Sequence, residues 1–215
     1  MSLRRFLPLL ALLAGSLSCS EATAPDRVPN YEWRLFVDDD TLSFHWPQEM
    51  LPLRIWVEDS LDMPDRIAEG IADWRDAYLY GEYDAVLVAD SSSADIIVLV
   101  QTAPPKAATS LGRLRTVFDG CEGATDIDTV ATRFELQVPM RMYLAPRYDP
   151  EQVDLTECFR VTARHELGHS LGLFQHTSNA ADIMFGQPVA PGLSLRDINT
   201  AQIVAHWPAN MIPTR

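Results

Sequence analysis

The stretch HELGHSLGLFQH, residues 165–176, decides how this chain is interpreted. His165 and His169 lie four residues apart, so on a helix both imidazoles point from one face and can reach a single metal ion. Gly172 can adopt the left-handed conformation that follows a helix end, which lets the chain turn and bring His176 back as a third ligand. Three imidazoles that leave one position open are typical of a catalytic zinc site.

Glu166 directly follows the first of these histidines and therefore lies one position round the helix. Its carboxylate can reach a water on the zinc without binding the metal itself. A carboxylate in that place suits a general base. The motif therefore predicts one catalytic Zn²⁺ and a zinc-activated water that loses its proton to Glu166.

The rest of the chain mixes strands and helices, which predicts an α+β fold with a mixed twisted sheet of about five strands. Three helices are expected: a backing helix that Pro64 opens and that carries Trp74, a long active-site helix over about 154–171, and a C-terminal helix from Ser194 to about Trp207. Asp154 is the expected cap of the active-site helix. Strands are expected at 53–57, 85–89, 96–100, 130–138 and 141–144, whereas the Gly- and Pro-rich residues 103–123 are expected to form a loop.

The HELGH core, Gly172, the third histidine and the later sequence Asp182-Ile183-Met184-Phe185 together resemble the metzincin zinc metallopeptidases, and among them the matrixin-like bacterial members. The resemblance implies a zincin-like catalytic domain over 31–215. It also implies that Met184 forms a hydrophobic floor beneath the histidines without binding the metal. The common family spacing places the third ligand at Gln175, but imidazole is the better zinc ligand, so we expect His176 to bind.

The same resemblance implies a protein or peptide substrate that lies antiparallel to an edge strand, expected within 129–138. Residues 186–193 are then expected to line the specificity pocket. Many relatives bind Ca²⁺, and Asp119, Glu122, Asp126 and Asp128 form an acidic segment. Because their spacing matches no calcium-loop pattern, a solvated acidic loop is the favoured interpretation and calcium the alternative.

The N-terminus is typical of an export signal. Residues 1–19 carry Arg4 and Arg5, then an apolar stretch over 6–17 that is too short to span a bilayer, and end at Cys19. Cys19 is a candidate for lipidation, which would make the chain a cell-envelope lipoprotein of the outer membrane or periplasm; ordinary secretion is the alternative. Residues 20–30 are polar and are expected to form a tether.

Two cysteines, Cys121 and Cys158, remain after the signal. An even number of cysteines in an exported chain predicts a disulfide between them. The competing interpretation, a zinc site built from both, lacks the close spacing of structural zinc cysteines.

Charge and composition limit the partners. The 215 residues contain 30 acidic and 17 basic side chains and carry a formal charge of −13, which argues against nucleic acid as a partner. Contact with a membrane is expected only through a lipid on Cys19, and the chain is expected to be a monomer. These features predict an exported zinc endopeptidase. The alternatives are a catalytically inactive zinc-containing envelope or binding protein and a zinc hydrolase of a non-peptide bond.

Overall fold

A computed structural model describes residues 28–106 and 110–215. Within those ranges the chain forms three α-helices and ten strands. In chain order they are β1 (Leu35–Val37), β2 (Asp40–Leu42), β3 (Leu53–Val57), α1 (Met63–Ala77), β4 (Ala85–Leu87), β5 (Ile96–Leu99), β6 (Ser110–Phe118), β7 (Cys121–Asp128), β8 (Glu135–Gln137), β9 (Met140–Pro146), α2 (Thr156–Ser170), α3 (Leu195–His206) and β10 (Ile212–Thr214).

The main sheet has six strands in the order β4-β3-β5-β9-β7-β6, so the expectation of about five was wrong. The first four are parallel, β7 runs antiparallel to β9, and β6 runs antiparallel to β7 at the edge. The fold is therefore α+β with a mixed sheet. Helix α1 packs on β3 and β4, helix α2 packs on β9, β7 and β6, and the two helices pack on each other.

The additional strands come from the part of the chain that was expected to be a loop. Residues 103–123 contain all of β6 and the start of β7, joined by a tight turn at Gly120 with φ of +99°. The glycines there mark a hairpin, in which only Gly120 needs the left-handed conformation. The expected strand at 130–138 was also wrong in extent, because only Glu135–Gln137 is a strand. It pairs with β10 outside the main sheet, so 129–138 is not one of its edges.

The acidic segment belongs to this hairpin and is not a solvated loop. Asp126 is buried in β7 and forms an ion pair with Arg113 of β6, with 2.5 Å between Nε and Oδ1. Asp128 at the end of β7 is also largely buried. The predicted acidic loop was therefore wrong for Asp126 and Asp128, because strand pairing takes them into the sheet, whereas Asp119 lies exposed in the turn before β7.

Local signals account well for the helix ends. Pro64 lies in the first turn of α1, and Ser194 and Asp197 form a reciprocal capping box at the start of α3. Helix α2 begins one residue later than expected: Leu155 occupies the cap position, and the Asp154 carboxylate accepts a hydrogen bond from the Thr156 amide at 2.9 Å.

The expected signal peptide 1–19, its lipidation site Cys19 and tether residues 20–27 lie outside the described residues. Residues 28–30 lie against α3, where Thr200 accepts a hydrogen bond from the Asn30 amide at 3.1 Å. In the described ranges, none of the helices is both long enough and apolar enough to cross a membrane.

Candidate metal centre

Helix α2 presents His165 and His169 from one face, and both rings are fully buried. Nδ1 of His165 lies 2.6 Å from the carbonyl oxygen of Ile183, and Nδ1 of His169 lies 2.6 Å from that of Leu173. A carbonyl oxygen only accepts hydrogen bonds, so each Nδ1 carries the proton. Each Nε2 is therefore left with an unprotonated lone pair.

The two bare nitrogens face each other. Nε2 of His165 lies 2.9 Å from Nε2 of His169, which in turn lies 3.1 Å from Nε2 of His176. Two unprotonated imidazole nitrogens cannot hydrogen-bond to each other, and at this distance their lone pairs repel. A cation bound between them removes that conflict, so the residues fit a metal ion. In the described parts of the chain, these three histidines are the only group of three or more potential ligands.

Burial keeps these three histidines neutral. Burial and the neighbouring His176 lower the pKa of His165 to about 3, and burial lowers the pKa of His169 well below its ordinary value. The pKa of His176 is also lowered by burial, although its residue remains partly exposed at the rim. A neutral imidazole is the form that binds a metal.

The turn after α2 selects the third histidine. Gly172 has φ of +101°, and a Cβ there would collide with the backbone carbonyl of Phe44. The chain reverses at this glycine and places His176 beside the other two rings. The Gln175 side chain points elsewhere and donates a hydrogen bond to the Arg34 carbonyl at 3.1 Å. The structure thus assembles His165, His169 and His176, and leaves Gln175 apart.

Met184 lies fully buried next to the ligand helix. Its sulfur sits against Gly168, where a Cβ would collide with it and would come within 2.8 Å of Trp74 Cζ2. Asp197 holds the turn that contains Ile183 and Met184. Its carboxylate accepts a hydrogen bond from the Ile183 amide at 2.8 Å. The same turn supplies the Ile183 carbonyl that orients His165. Asp197 thus has two roles, since it caps α3 and also holds the turn whose carbonyl orients His165.

The Glu166 side chain is fully buried on a different face of α2, towards β7. Its Oε2 accepts a hydrogen bond from the Thr125 hydroxyl at 2.6 Å. Its Oε1 makes no hydrogen bond of standard geometry with any described residue. Burial raises the pKa of Glu166 to about 8, while the nearby hydroxyls of Thr125 and Thr116 act in the opposite direction. The carboxyl group thus has one oxygen held by Thr125 and one oxygen that packs against β7 at Gly123 without a hydrogen bond of standard geometry.

A disulfide joins Cys121 at the start of β7 to Cys158 in the first turn of α2. Both sulfurs belong to buried residues. The bond connects the strand that holds Glu166 to the helix that carries it. Neither cysteine belongs to the histidine cluster, so the structure does not form the competing zinc site.

Sequence reasoning missed Thr125, together with Gly123, whose missing side chain makes room for the Glu166 carboxylate. Both residues are about forty positions from Glu166 in the chain, and no local pattern marks them.

Comparison of the sequence with models of protein families and with curated proteins finds no match. The functional interpretation therefore rests on the site itself.

Proposed function

We propose that this protein is a zinc-dependent endopeptidase. The observation that carries the proposal is the convergence of three histidine nitrogens, two of them left unprotonated by the hydrogen bonds at Nδ1, together with the buried carboxylate of Glu166, the next residue after His165, whose Oε1 lacks a hydrogen bond of standard geometry within the described chain. A purely structural zinc site uses four protein ligands and has no need of such a carboxylate.

His165, His169 and His176 would hold the metal through Nε2. A set of three imidazoles suits Zn²⁺ and leaves one coordination position open. When bound, zinc supplies a Lewis acid that polarises a carbonyl group and lowers the pKa of water to about 7.

Glu166 supplies the acid–base chemistry. Its Oε1 would accept a proton from the water that attacks the peptide carbonyl, and would later deliver that proton to the leaving nitrogen. The hydrogen bond from Thr125 to Oε2 keeps the carboxyl group from rotating, so the free oxygen stays in one place. The carbonyl oxygens of Ile183 and Leu173 do the same for the rings of His165 and His169.

We also propose a zincin-like fold and membership of the matrixin-like metzincins. The sequence of elements supports this: a mostly parallel sheet, a helix with HELGH, a glycine turn, a third histidine, and a Met184 turn against Gly168. The buried disulfide supports export to an oxidising compartment. We propose two alternative destinations: the cell envelope, if Cys19 is lipidated, and the outside of the cell, if the chain is secreted without a lipid.

Access to Glu166 requires a movement. The carboxylate is fully buried, and Thr116 of β6, the register partner of Gly123, is near enough to influence its pKa. Strand β6 pairs with β7 alone, so it is the element whose displacement would expose Glu166. We therefore propose that β6 moves away from α2 when a substrate binds.

The same burial is the one observation that favours the alternative, a zinc-containing binding protein without catalysis. A cleavage assay separates the two. The purified protein loaded with zinc should cut an unstructured protein such as casein, the chelator 1,10-phenanthroline should stop the reaction, and added zinc should restore it. Full zinc occupancy without cleavage would reject the endopeptidase and support the binding protein.

A further inference from the structure

One face of β7 and one face of α2 contact each other residue by residue. At one end, Cys121 is bonded covalently to Cys158. Four residues further along the strand, Thr125 donates its hydroxyl hydrogen to Glu166, eight residues further along the helix. Each advance of two residues along β7 thus corresponds to an advance of four residues along α2.

The match follows from the two repeats. Four strand residues advance about 13 Å, and eight helical residues advance 12 Å by the ideal rise of 1.5 Å. A strand and a helix that run side by side in the same direction therefore stay in register over this distance. A bond at Cys121 consequently determines which helical residue meets Thr125.

The middle step of this register is Gly123. A Cβ at that position would come within 2.6 Å of Thr162 Cγ2 and 2.8 Å of Glu166 Cγ. Only a residue without a side chain lets β7 approach α2 closely enough for the Thr125 hydroxyl to reach the carboxylate. Glycine weakens a strand, so its presence here is explained by this close approach.

Thr125 is fully buried, and two acceptors of Glu166 lie near its hydroxyl, whose single proton goes to the nearer one. Oγ1 lies 2.6 Å from Oε2 and 3.4 Å from the Glu166 backbone carbonyl oxygen. The short contact is a charge-assisted hydrogen bond when the carboxylate is ionised. It fixes the orientation of the carboxyl plane and leaves Oε1 without a hydrogen bond from the described residues.

We infer that Thr125 is a positioning residue for the general base, and that the Cys121–Cys158 disulfide sets the strand register that places Thr125 there. This inference rests on the proposed function of Glu166. Its test is therefore built so that either can fail alone.

Thr125→Val removes the hydroxyl and keeps the shape. In zinc-loaded protein we expect kcat to fall about 10- to 100-fold, the loss associated with a misplaced catalytic group, while KM changes less than about twofold. Thr125→Ser restores a hydroxyl and should return kcat to within about threefold of wild type. Thr200→Val, at a buried threonine on α3 away from the site, is the matched control and should leave kcat unchanged.

A second readout needs no activity. In metal-free protein, the urea midpoints of Thr125→Val, Glu166→Met and the double variant should be non-additive, because methionine cannot accept the Thr125 hydrogen bond in place of the carboxylate and the double variant loses that bond only once. Replacing both Cys121 and Cys158 by Ser should lower kcat, and adding Thr125→Val to that variant should lower it little further. If Thr125→Val does not fold, the kcat values of Thr125→Ser and Thr125→Cys decide, because a thiol is a weak donor.

An active wild type whose Thr125→Val variant keeps its kcat, together with additive urea midpoints, would overturn the positioning role and leave the endopeptidase standing. A zinc-loaded wild type that cleaves nothing would reject the endopeptidase and this role together. Equal activity of the disulfide-free variant would overturn the part assigned to the disulfide.

Discussion

Two faces of α2 each hold functional side chains in a fixed orientation, but they use different anchors. On the histidine face of α2, the backbone carbonyls of Ile183 and Leu173 hold Nδ1 and leave Nε2 bare. On the face towards β7, the side chain of Thr125 holds Oε2 of Glu166 and leaves Oε1 free. Each functional group is thus anchored at one heteroatom and available at the other.

The difference lies in the nature of the anchor. A backbone carbonyl survives substitution of its own side chain, so the histidine face depends on how the turns are built. A threonine hydroxyl is lost in a single substitution, so the Glu166 face depends on one side chain and on strand register. The histidine face should therefore respond to changes in packing, and the Glu166 face to the loss of a single hydroxyl.

The largest expected effect is loss of the histidine face itself. His169→Ala removes the central ligand, whose Nε2 lies close to both neighbours. Two imidazoles do not complete a zinc site, so metal content should fall from one zinc per chain to none after dialysis, measured by atomic emission. Gln175→Ala is the control and should keep its zinc; loss of zinc there instead would move the third ligand to Gln175.

The next largest effect is expected from removing the Glu166 carboxylate while the three histidines stay intact. Glu166→Gln preserves size and removes the base, so cleavage should fall by about 10²–10⁴. Zinc content should remain at one per chain, because the carboxylate is not a ligand. Cleavage at the wild-type rate would assign the base to another group, and loss of zinc would give Glu166 a structural role.

A covalent link between β6 and β7 should keep Glu166 covered. The rate of peptide cleavage should then fall at least about tenfold, because the population of molecules that can open falls by that factor. Arg115 of β6 and Ala124 of β7 are register partners, so Arg115→Cys with Ala124→Cys can form a cross-strand disulfide. The oxidised variant should be slow in a peptide-cleavage assay, and mild reduction should restore it. The single variants and the reduced wild type are controls; an oxidised variant as active as the reduced one would show that β6 need not move.

The smallest expected effect tests packing beneath the histidines. Gly168→Ala gains about 1 kcal/mol of helix propensity, but its Cβ collides with the buried Met184 and Trp74. Overpacking costs about 1–3 kcal/mol, so the free energy of unfolding in urea should be equal to or lower than that of the wild type. Zinc should also bind more weakly. Gly192→Ala has no atom within 4 Å of its added Cβ and should be neutral. A Gly168→Ala variant that is more stable than wild type and keeps its full zinc affinity would mean that the side chains packed around Met184 can rearrange to accept the methyl group.

Local signals in the sequence identify the histidine face well. The i and i+4 spacing of His165 and His169 and the turn at Gly172 depend on neighbouring residues, and the structure forms both. The capping box of Ser194 and Asp197 is likewise local, and it begins the C-terminal helix at the expected Ser194. Such features need no knowledge of the distant chain.

The Glu166 face was not predictable in this way. Gly120 and Gly123 suggested a loop, because a glycine in a strand is explained only by what packs against it, and here that partner lies on α2. A threonine in a strand is ordinary, so nothing in the local sequence distinguishes Thr125. Its role depends on a contact between residues 41 positions apart.

The central claim is that the Nε2 atoms of three imidazoles hold one zinc ion in an open site. X-ray absorption at the zinc edge of the loaded protein tests it most directly. The account predicts one zinc per chain with three nitrogen ligands at about 2.0–2.1 Å and one light oxygen ligand that is not from the protein. A spectrum with sulfur in the first shell, with fewer than three imidazoles, or a protein that takes up no zinc would contradict it.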